Sequence, residues 1–358
     1  AYLARQEIAF AQMYMDQQWG RHQVLMGAAL RYTNYNDNTP ATTTASQTTL
    51  PGVFVQDEIT LGEHNHLLMG LRLDSHNEHG AVWSPRFGFH HHLNDNQSVR
   101  LSAGSGFRVV SLFTEDHAAL TGAREVVIAE ALRPERSWSS TLNYNLRIPT
   151  DTYFLNVDIS GFYTRFSNRI LPDYDTNPDQ IIYSNLNGES VTRGVTLQLD
   201  YSNGMPLRIN AGVTFMDVFQ READSEKVEQ IRAPRWSGTL AANYTHPASR
   251  LSFDLTTNWF GPQRLPVVPN DFRPEYSPWY AIVNMQLSRK FAGGIELYGG
   301  VKNLLDFVPD NPILRPFDPF DQQVDDPVNN PNGYTFDATY NYASLQGVRG
   351  FVGFRYTY

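Results

Sequence analysis

A transmembrane antiparallel β-barrel is the fold that this sequence predicts, on three grounds: period-two alternation, strand-length apolar stripes, and connections that alternate between short and long. In 250–260, Leu251, Phe253, Leu255, Thr257 and Trp259 alternate with Ser252, Asp254, Thr256 and Asn258. The same period of two runs through 207–216 and 281–288, and through 153–160, 195–201, 236–245 and 295–302. Each stripe is roughly 9 to 11 residues long, which is what a tilted strand needs to cross a bilayer. No stretch approaches the ~20 apolar residues of a membrane helix.

The connections supply the third ground. Short polar turns are read at 20–22, 63–66, 94–97, 148–151, 203–206, 245–249 and 291–294. Between them lie long segments rich in Pro, Asn, Asp and Thr at 36–52, 74–84, 108–136, 166–190, 217–234, 260–278 and 308–343. Structureless loops above ~15 residues are uncommon in compact domains. Outer-membrane barrels show this asymmetry by rule, with short turns on the periplasmic side and long loops outside.

Composition agrees and narrows the function classes. The chain has 358 residues, 41% of them hydrophobic, with 19 Tyr, 21 Phe, no Cys and a net charge of −9. Thiolate metal sites and disulfides are excluded, and the acidic balance argues against a nucleic-acid partner. Only Lys227, Lys290 and Lys302 are lysines, so arginine carries nearly all the positive charge. Amphipathic rings favour the headgroup zone. Trp138, Tyr144, Trp236, Tyr244, Trp259, Trp279, Tyr356 and Tyr358 are therefore the expected membrane-interface aromatics.

Counting stripes gives about fifteen strands. Single-chain bacterial barrels have an even number, and AYLARQEIAF lacks the layout of a signal peptide. The expectation is that residues 1–358 are the C-terminal portion of a longer barrel domain.

Several segments resemble TonB-dependent outer-membrane receptors, especially the siderophore receptors common in Bacteroidetes. They are FVQD at 54–57, GLRLD at 70–74, SPRFG at 84–88 and VRLSAGSGFRVVSLF at 99–113, followed by RPERSWSSTLNYNL at 133–146 and GVKNLLDF at 300–307. The closing strand GFVGFRYTY at 350–358 completes the resemblance, which covers roughly 54–358. It implies about the last 15 of 22 strands, without the N-terminal plug or the first strands. It further implies a Gram-negative outer-membrane location in contact with lipid bilayer and lipopolysaccharide, and import of a ferric siderophore or similar metal chelate. TonB would act through an N-terminal segment absent from this sequence, and the plug would belong to the same parent chain. Alternatives are a passive porin-like channel and a structural barrel in a larger envelope complex.

No Ser-His-Asp grouping, phosphate loop or suggestive carboxylate pair is present, so the chain is not expected to be an enzyme. In 108–136, Arg108, Phe113, Asp116, His117 and Arg124 mix charge with apolar area, as an anionic chelate's site would. In 308–343, Asp318, Asp321, Asp325 and Asp326 could gather around a structural Ca²⁺, without EF-hand spacing; no other cofactor is expected. His76, Glu78 and His79 are metal-capable types in what reads as a loop. His90 and His92 share a face that His91 does not, so these three cannot converge on one ion. Inward-facing polar residues are expected at Arg208, Asn210, Thr214, Asp254, Asn258, Asn284, Gln286, Glu296 and Lys302.

Overall fold

A computed structural model describes residues 3–38, 46–109, 125–173, 176–177, 180–204, 206–222 and 226–357. Among them there is no helix. In chain order the strands are β1 (Ala4–Trp19), β2 (His22–Asp37), β3 (Ser46–Leu61), β4 (Asn65–His76), β5 (Gly80–Asn94), β6 (Gln97–Arg108), β7 (Glu125–Ile128), β8 (Glu135–Pro149), β9 (Phe154–Asn168), β10 (Ile170–Asp173), β11 (Gln180–Asn185), β12 (Gly188–Ser202) and β13 (Leu207–Glu222). They continue with β14 (Val228–Glu229), β15 (Trp236–His246), β16 (Leu251–Phe260), β17 (Tyr280–Lys290), β18 (Ile295–Lys302) and β19 (Arg349–Tyr356).

One sheet runs β1-β2-β3-β4-β5-β6-β8-β9-β12-β13-β15-β16-β17-β18-β19, with β14 pairing β13 off that path. Fifteen strands follow chain order, as the stripe count anticipates. Pairing is antiparallel, and unbroken registers such as β1 on β2 extend from Ala4↔Asp37 to Trp19↔His22. The chain divides into two compact units, one of 1–142, 162–192 and 219–228, the other of 143–161, 193–218 and 229–358.

Short turns such as 62–64 and 291–294 sit at one end of the strands, with Gly62 and Gly293 supplying the positive φ that tight reversals need. Long connections sit at the other end, with one correction to the sequence reading. Segment 74–84 is no long loop: β4 and β5 continue through it, and only 77–79 turns. Asp74 and His76 read as loop residues because they are polar, yet they continue the polar face of β4.

Burial is inverted relative to a globular domain. Apolar strand residues are exposed: Val352 at 89%, Phe354 at 74%, and Val53, Leu71, Phe87, Leu101, Leu142 and Leu297 likewise. Buried apolar residues instead gather around the long connections, as with Ile181, Tyr183, Leu265, Leu314 and Tyr340. A contiguous exposed apolar face of this kind needs a non-aqueous contact.

Exposed rings edge that face at both heights. In the second unit Phe215 packs on Trp236 at 4.8 Å and Trp259 stacks on Trp279 at 5.9 Å, at the long-connection ends. Trp138, in the first unit, stands at the corresponding end of β8. Tyr244 and Tyr356 lie near short-turn ends, where Tyr153 also stacks on Tyr201 at 6.0 Å. Tyr144 sits within β8 nearer its short-turn end, and Tyr358 lies outside the described residues.

Close packing of these rings leaves no room for a side chain at Gly238, whose added Cβ would overlap the Trp259 indole. Gly238→Leu is expected to lower stability by about 1–3 kcal/mol. The drop should appear as an earlier loss of the heat-modifiable folded band in detergent electrophoresis.

Candidate functional site

The long connections of the first unit form a small layer of their own. β10, β11 and β7 make a three-stranded sheet, in which β7 runs parallel to β11 from Glu125↔Gln180 to Ile128↔Tyr183. Its anchor is Glu135 at the start of β8, only 4% exposed. One carboxylate oxygen, Oε1, accepts the Ile170 N–H at 2.9 Å. The other accepts Arg108 Nε and Nη2 at 3.0 and 2.7 Å. Asn185 braces the same seam: its Oδ1 accepts the Arg133 N–H and its Nδ2 donates to the Ala131 carbonyl, both at 2.8 Å. Asn168 Nδ2 donates to the carbonyls of Arg133 and Pro134. Of the expected ligand-facing set, Arg108 is thus built into this latch, its side chain 58% exposed. Phe113, Asp116, His117 and Arg124 lie outside the described residues.

The second unit builds its layer from 261–279 and 303–348. Arg273 is its hub, with its side chain 1% exposed. It donates to Asp271 through Nε at 3.0 Å and Nη2 at 2.7 Å and lies 4.2 Å over the Tyr340 ring. Burial disfavours the Asp271 charge, but the Arg273 hydrogen bonds outweigh it and hold the carboxyl below its ordinary range. Asp318 is lowered by Arg315 and also accepts the N–H groups of Gln322 and Gln323. Asp326 is lowered by Asn329 and caps the 328–329 turn. Asp321 accepts the Phe336 N–H at 2.6 Å. The structure therefore spends Asp318 and Asp326 on their own turns and Asp321 on the distant Phe336 N–H, and it does not bring Asp318, Asp321, Asp325 and Asp326 onto one centre. Among the described residues no group of three His, Cys, Asp or Glu converges for a metal. Phe317 and Phe320 project beyond this layer, 72% and 82% exposed.

The histidines resolve into separate roles. His76 Nδ1 accepts the N–H groups of Glu78 and His79 and its ring lies 4.6 Å from that of His79, closing the 77–79 turn on itself. His91 hydrogen-bonds Asn65 at 2.8 Å on the apolar side. His90 and His92 stand 4.2 Å apart on the polar side, and His66 joins them at 6.2 and 6.0 Å. Sequence reasoning missed His66, although it lies directly across from His90 in the β4–β5 pairing.

A hydrogen-bonded ladder covers the polar face of the second unit. Asn143 and Asn145 donate to Asp158 at 2.7 and 3.3 Å, and Asn156 and Asn210 donate to Asp200 at 3.1 and 2.6 Å. Thr196 meets Thr214 at 3.0 Å, Asn243 donates to Asp254 at 2.6 Å, and Asn284 donates to Thr256 at 3.2 Å. Register places Arg208, Asn243, Asp254 and Gln286 in one row. Arg355 pairs with Glu296 at 3.0 Å.

The TonB dependent receptor-like, beta-barrel family model matches residues 6–304. The chain belongs to that family. Its match to the ferrienterobactin receptor of Escherichia coli (strain K12) is 22% identical over 304 residues, 78% of this chain and 39% of that protein. The ferric-catecholate import receptor from K12 E. coli aligns with TM-score 0.70 at 13% identity, over 99% of this chain and 55% of the other. The FrpB iron transporter from Neisseria meningitidis gives 0.67 at 13% identity, with the same coverage. The chain spans about half the length, or less, of these relatives. Members of this family are transport receptors, and the chain is not an enzyme.

Two tests follow from the loop layers. Glu135→Ala orphans the Ile170 N–H while Arg108 can rehydrate, so a loss of about 1–3 kcal/mol is expected. Amide exchange across 169–187 should accelerate accordingly, with β16 and β17 unaffected. In the second unit, a carboxyl lowered below its ordinary value of 3.8 stabilises above that value, and the contribution is lost as pH falls through the folded pKa. Exchange protection of 261–279 should therefore hold from neutrality to about pH 4 and fall below it. Asp271→Asn, which leaves buried Arg273 only the more distant Asp337 at 4.0 Å and the Asn311 carbonyl at 3.5 Å, should show the weakened protection already at pH 7.

Proposed function

We propose that this chain is barrel-wall and outer-loop structure of an outer-membrane active importer for a ferric siderophore or similar metal chelate, energised through TonB. The observation that carries the reading is the two-faced sheet of a TonB-dependent receptor barrel: an exposed apolar face edged by aromatic rings, backed by a hydrogen-bonded polar face. Relatives named for ferric enterobactin, ferric catecholate and iron support iron chelates as the cargo class. Location in a Gram-negative outer membrane, contact with lipopolysaccharide, a plug domain and TonB itself belong to the same proposal.

In this reading each layer has a physical task. The apolar face meets hydrocarbon, and Trp and Tyr edges settle at headgroup height. The loop layers braced by Glu135 and Arg273 hold exposed side chains in fixed positions where cargo arrives. The Asn and Asp ladder presents hydrated, mutually satisfied groups, which lets a polar solute pass without stranding a buried charge. The chain supplies wall and recognition surface, and the energy comes from the proton-motive force.

The test is growth of an iron-starved, siderophore-deficient strain on ferric catecholate and ferric hydroxamate chelates. Deleting the gene should abolish use of one chelate class, and the full-length gene should restore it only while TonB and the proton-motive force are intact. Unchanged growth after deletion overturns the import reading. Uptake that persists with a protonophore would mark the protein as a passive channel.

A further inference from the structure

The tip of the β4–β5 hairpin lies beyond the aromatic edge of the apolar face. Leu73 and Trp83, opposed in register, are the last large apolar pair on that face, and the chain reverses at 77–79. A side chain closes the reversal. His76, 3% exposed, accepts two N–H groups on Nδ1, from Glu78 at 3.1 Å and from His79 at 3.3 Å. Asn77 extends the closure to the neighbouring strand. Its Nδ2 donates to the Gln47 carbonyl at 3.0 Å, and its Oδ1 accepts the Thr49 N–H at 3.2 Å. One imidazole therefore holds the turn, and the turn holds the start of β3.

This bonding fixes the protonation state of the ring. An imidazole nitrogen accepts only while it carries no proton, so the proton of the neutral ring sits on Nε2. That Nε2 is buried and has no hydrogen-bond partner among the described residues. A second proton would have to go on Nδ1. It would turn the acceptor into a donor facing two other donors, and it would leave a charge on a buried ring. Little around the ring compensates. His79, whose ring lies 4.6 Å away, charges in the same pH range, and Glu78 opposes it from the same turn. Asp74, two residues back on the same face, gives both its oxygens to Arg72. Across the β4–β5 pair His76 meets Gly80, and on the β3 side the turn touches the uncharged Gln47 and Thr49. Burial first, and then His79, holds the His76 imidazole below its ordinary value of 6.5, with Glu78 pulling the other way.

We propose that His76 is a pH-sensitive clasp: proton uptake on Nδ1 expels the ring, opens the 77–79 turn and releases the start of β3. The closed turn requires a neutral ring, whereas the open turn lets the ring charge at its ordinary value. Closure is therefore complete above 6.5 and is lost as pH falls below it towards the lowered value of the closed state. One linked proton changes the closed-to-open ratio by up to about tenfold per pH unit in that window. The clasp acts in the same way whatever solute the barrel carries.

The test is amide exchange of the full-length protein in detergent between about pH 8 and pH 5, expressed as protection factors so that the intrinsic pH dependence of exchange drops out. Protection of the Thr49, Glu78 and His79 amides should hold down to about pH 7 and then fall by up to about tenfold per unit, while β16 and β17 stay unchanged. His76→Asn supplies an acceptor that does not titrate, in the side-chain-to-backbone geometry that turns favour, and should keep the protection flat throughout. His76→Leu has no acceptor and should be weakly protected at every pH. His79→Asn should retain the fall. A retained heat-modifiable band shows that each variant is folded. Native protection that is the same at both ends of the range overturns the proposal. So does a fall that persists in His76→Asn, which would assign the titration to another group.

Discussion

Backbone hydrogen bonding between neighbouring strands is the interaction on which the rest of this structure depends. In hydrocarbon no water can take the place of a missing partner, and each unpaired N–H or C=O costs several kcal/mol. Long uninterrupted registers such as β1 on β2 and β2 on β3 meet that demand. Once register is set, period-two geometry sends alternate residues to opposite faces with no further choice. The pairing of Asn243 with Asp254 and of Trp259 with its neighbours are both consequences of one ladder. A slip by one residue would move the Asn and Asp ladder onto the apolar face, which is why register is so strongly specified here.

The same constraint explains where the conventional cores are found. A sheet that exposes its apolar side chains cannot use them to bury area against itself, so packing is displaced to the connections. Each unit solves this with a charge pair in which a buried acid is held beside a few apolar residues, its arginine exposed in the first unit and buried in the second. Glu135 ties Arg108 to the backbone of Ile170, next to Ile181 and Tyr183. Arg273 ties Asp271 beneath Tyr340, next to Leu265 and Leu314. Buried pairs contribute little net stability against an apolar replacement, but removing one partner is costly. They therefore fix a single loop arrangement, which suits a surface that has to recognise something.

Strand existence and facing were legible in the sequence because alternation is a local signal, repeated on every strand. Strand ends were less so. The stripes of roughly 9 to 11 residues report only the span that must be apolar, whereas β1, β2 and β3 continue past it to sixteen residues each with polar side chains. That is also how 74–84 came to resemble a loop. The three-stranded layer was illegible for a different reason: β7 pairs in parallel with β11, more than fifty residues away, and nothing local encodes that meeting. The histidine grouping was half legible, since His90 and His92 share a face by spacing while His66 enters only through register. The four aspartates of 318–326 show the limit of composition, because each is also a residue that turns employ; Asp318 and Asp326 cap their own turns, and Asp321 accepts the N–H of Phe336, fifteen residues on.

Arginine's near monopoly of positive charge has a physical account in these pairs. Arg72 with Asp74, Arg108 with Glu135, Arg193 with Asp217 and Arg273 with Asp271 each use two guanidinium nitrogens on one carboxylate. An ammonium would supply a point charge without that fork, and would hold neither partner in a fixed plane. Where strands end and long connections begin, a planar two-point brace orients the exit of the chain as well as neutralising it.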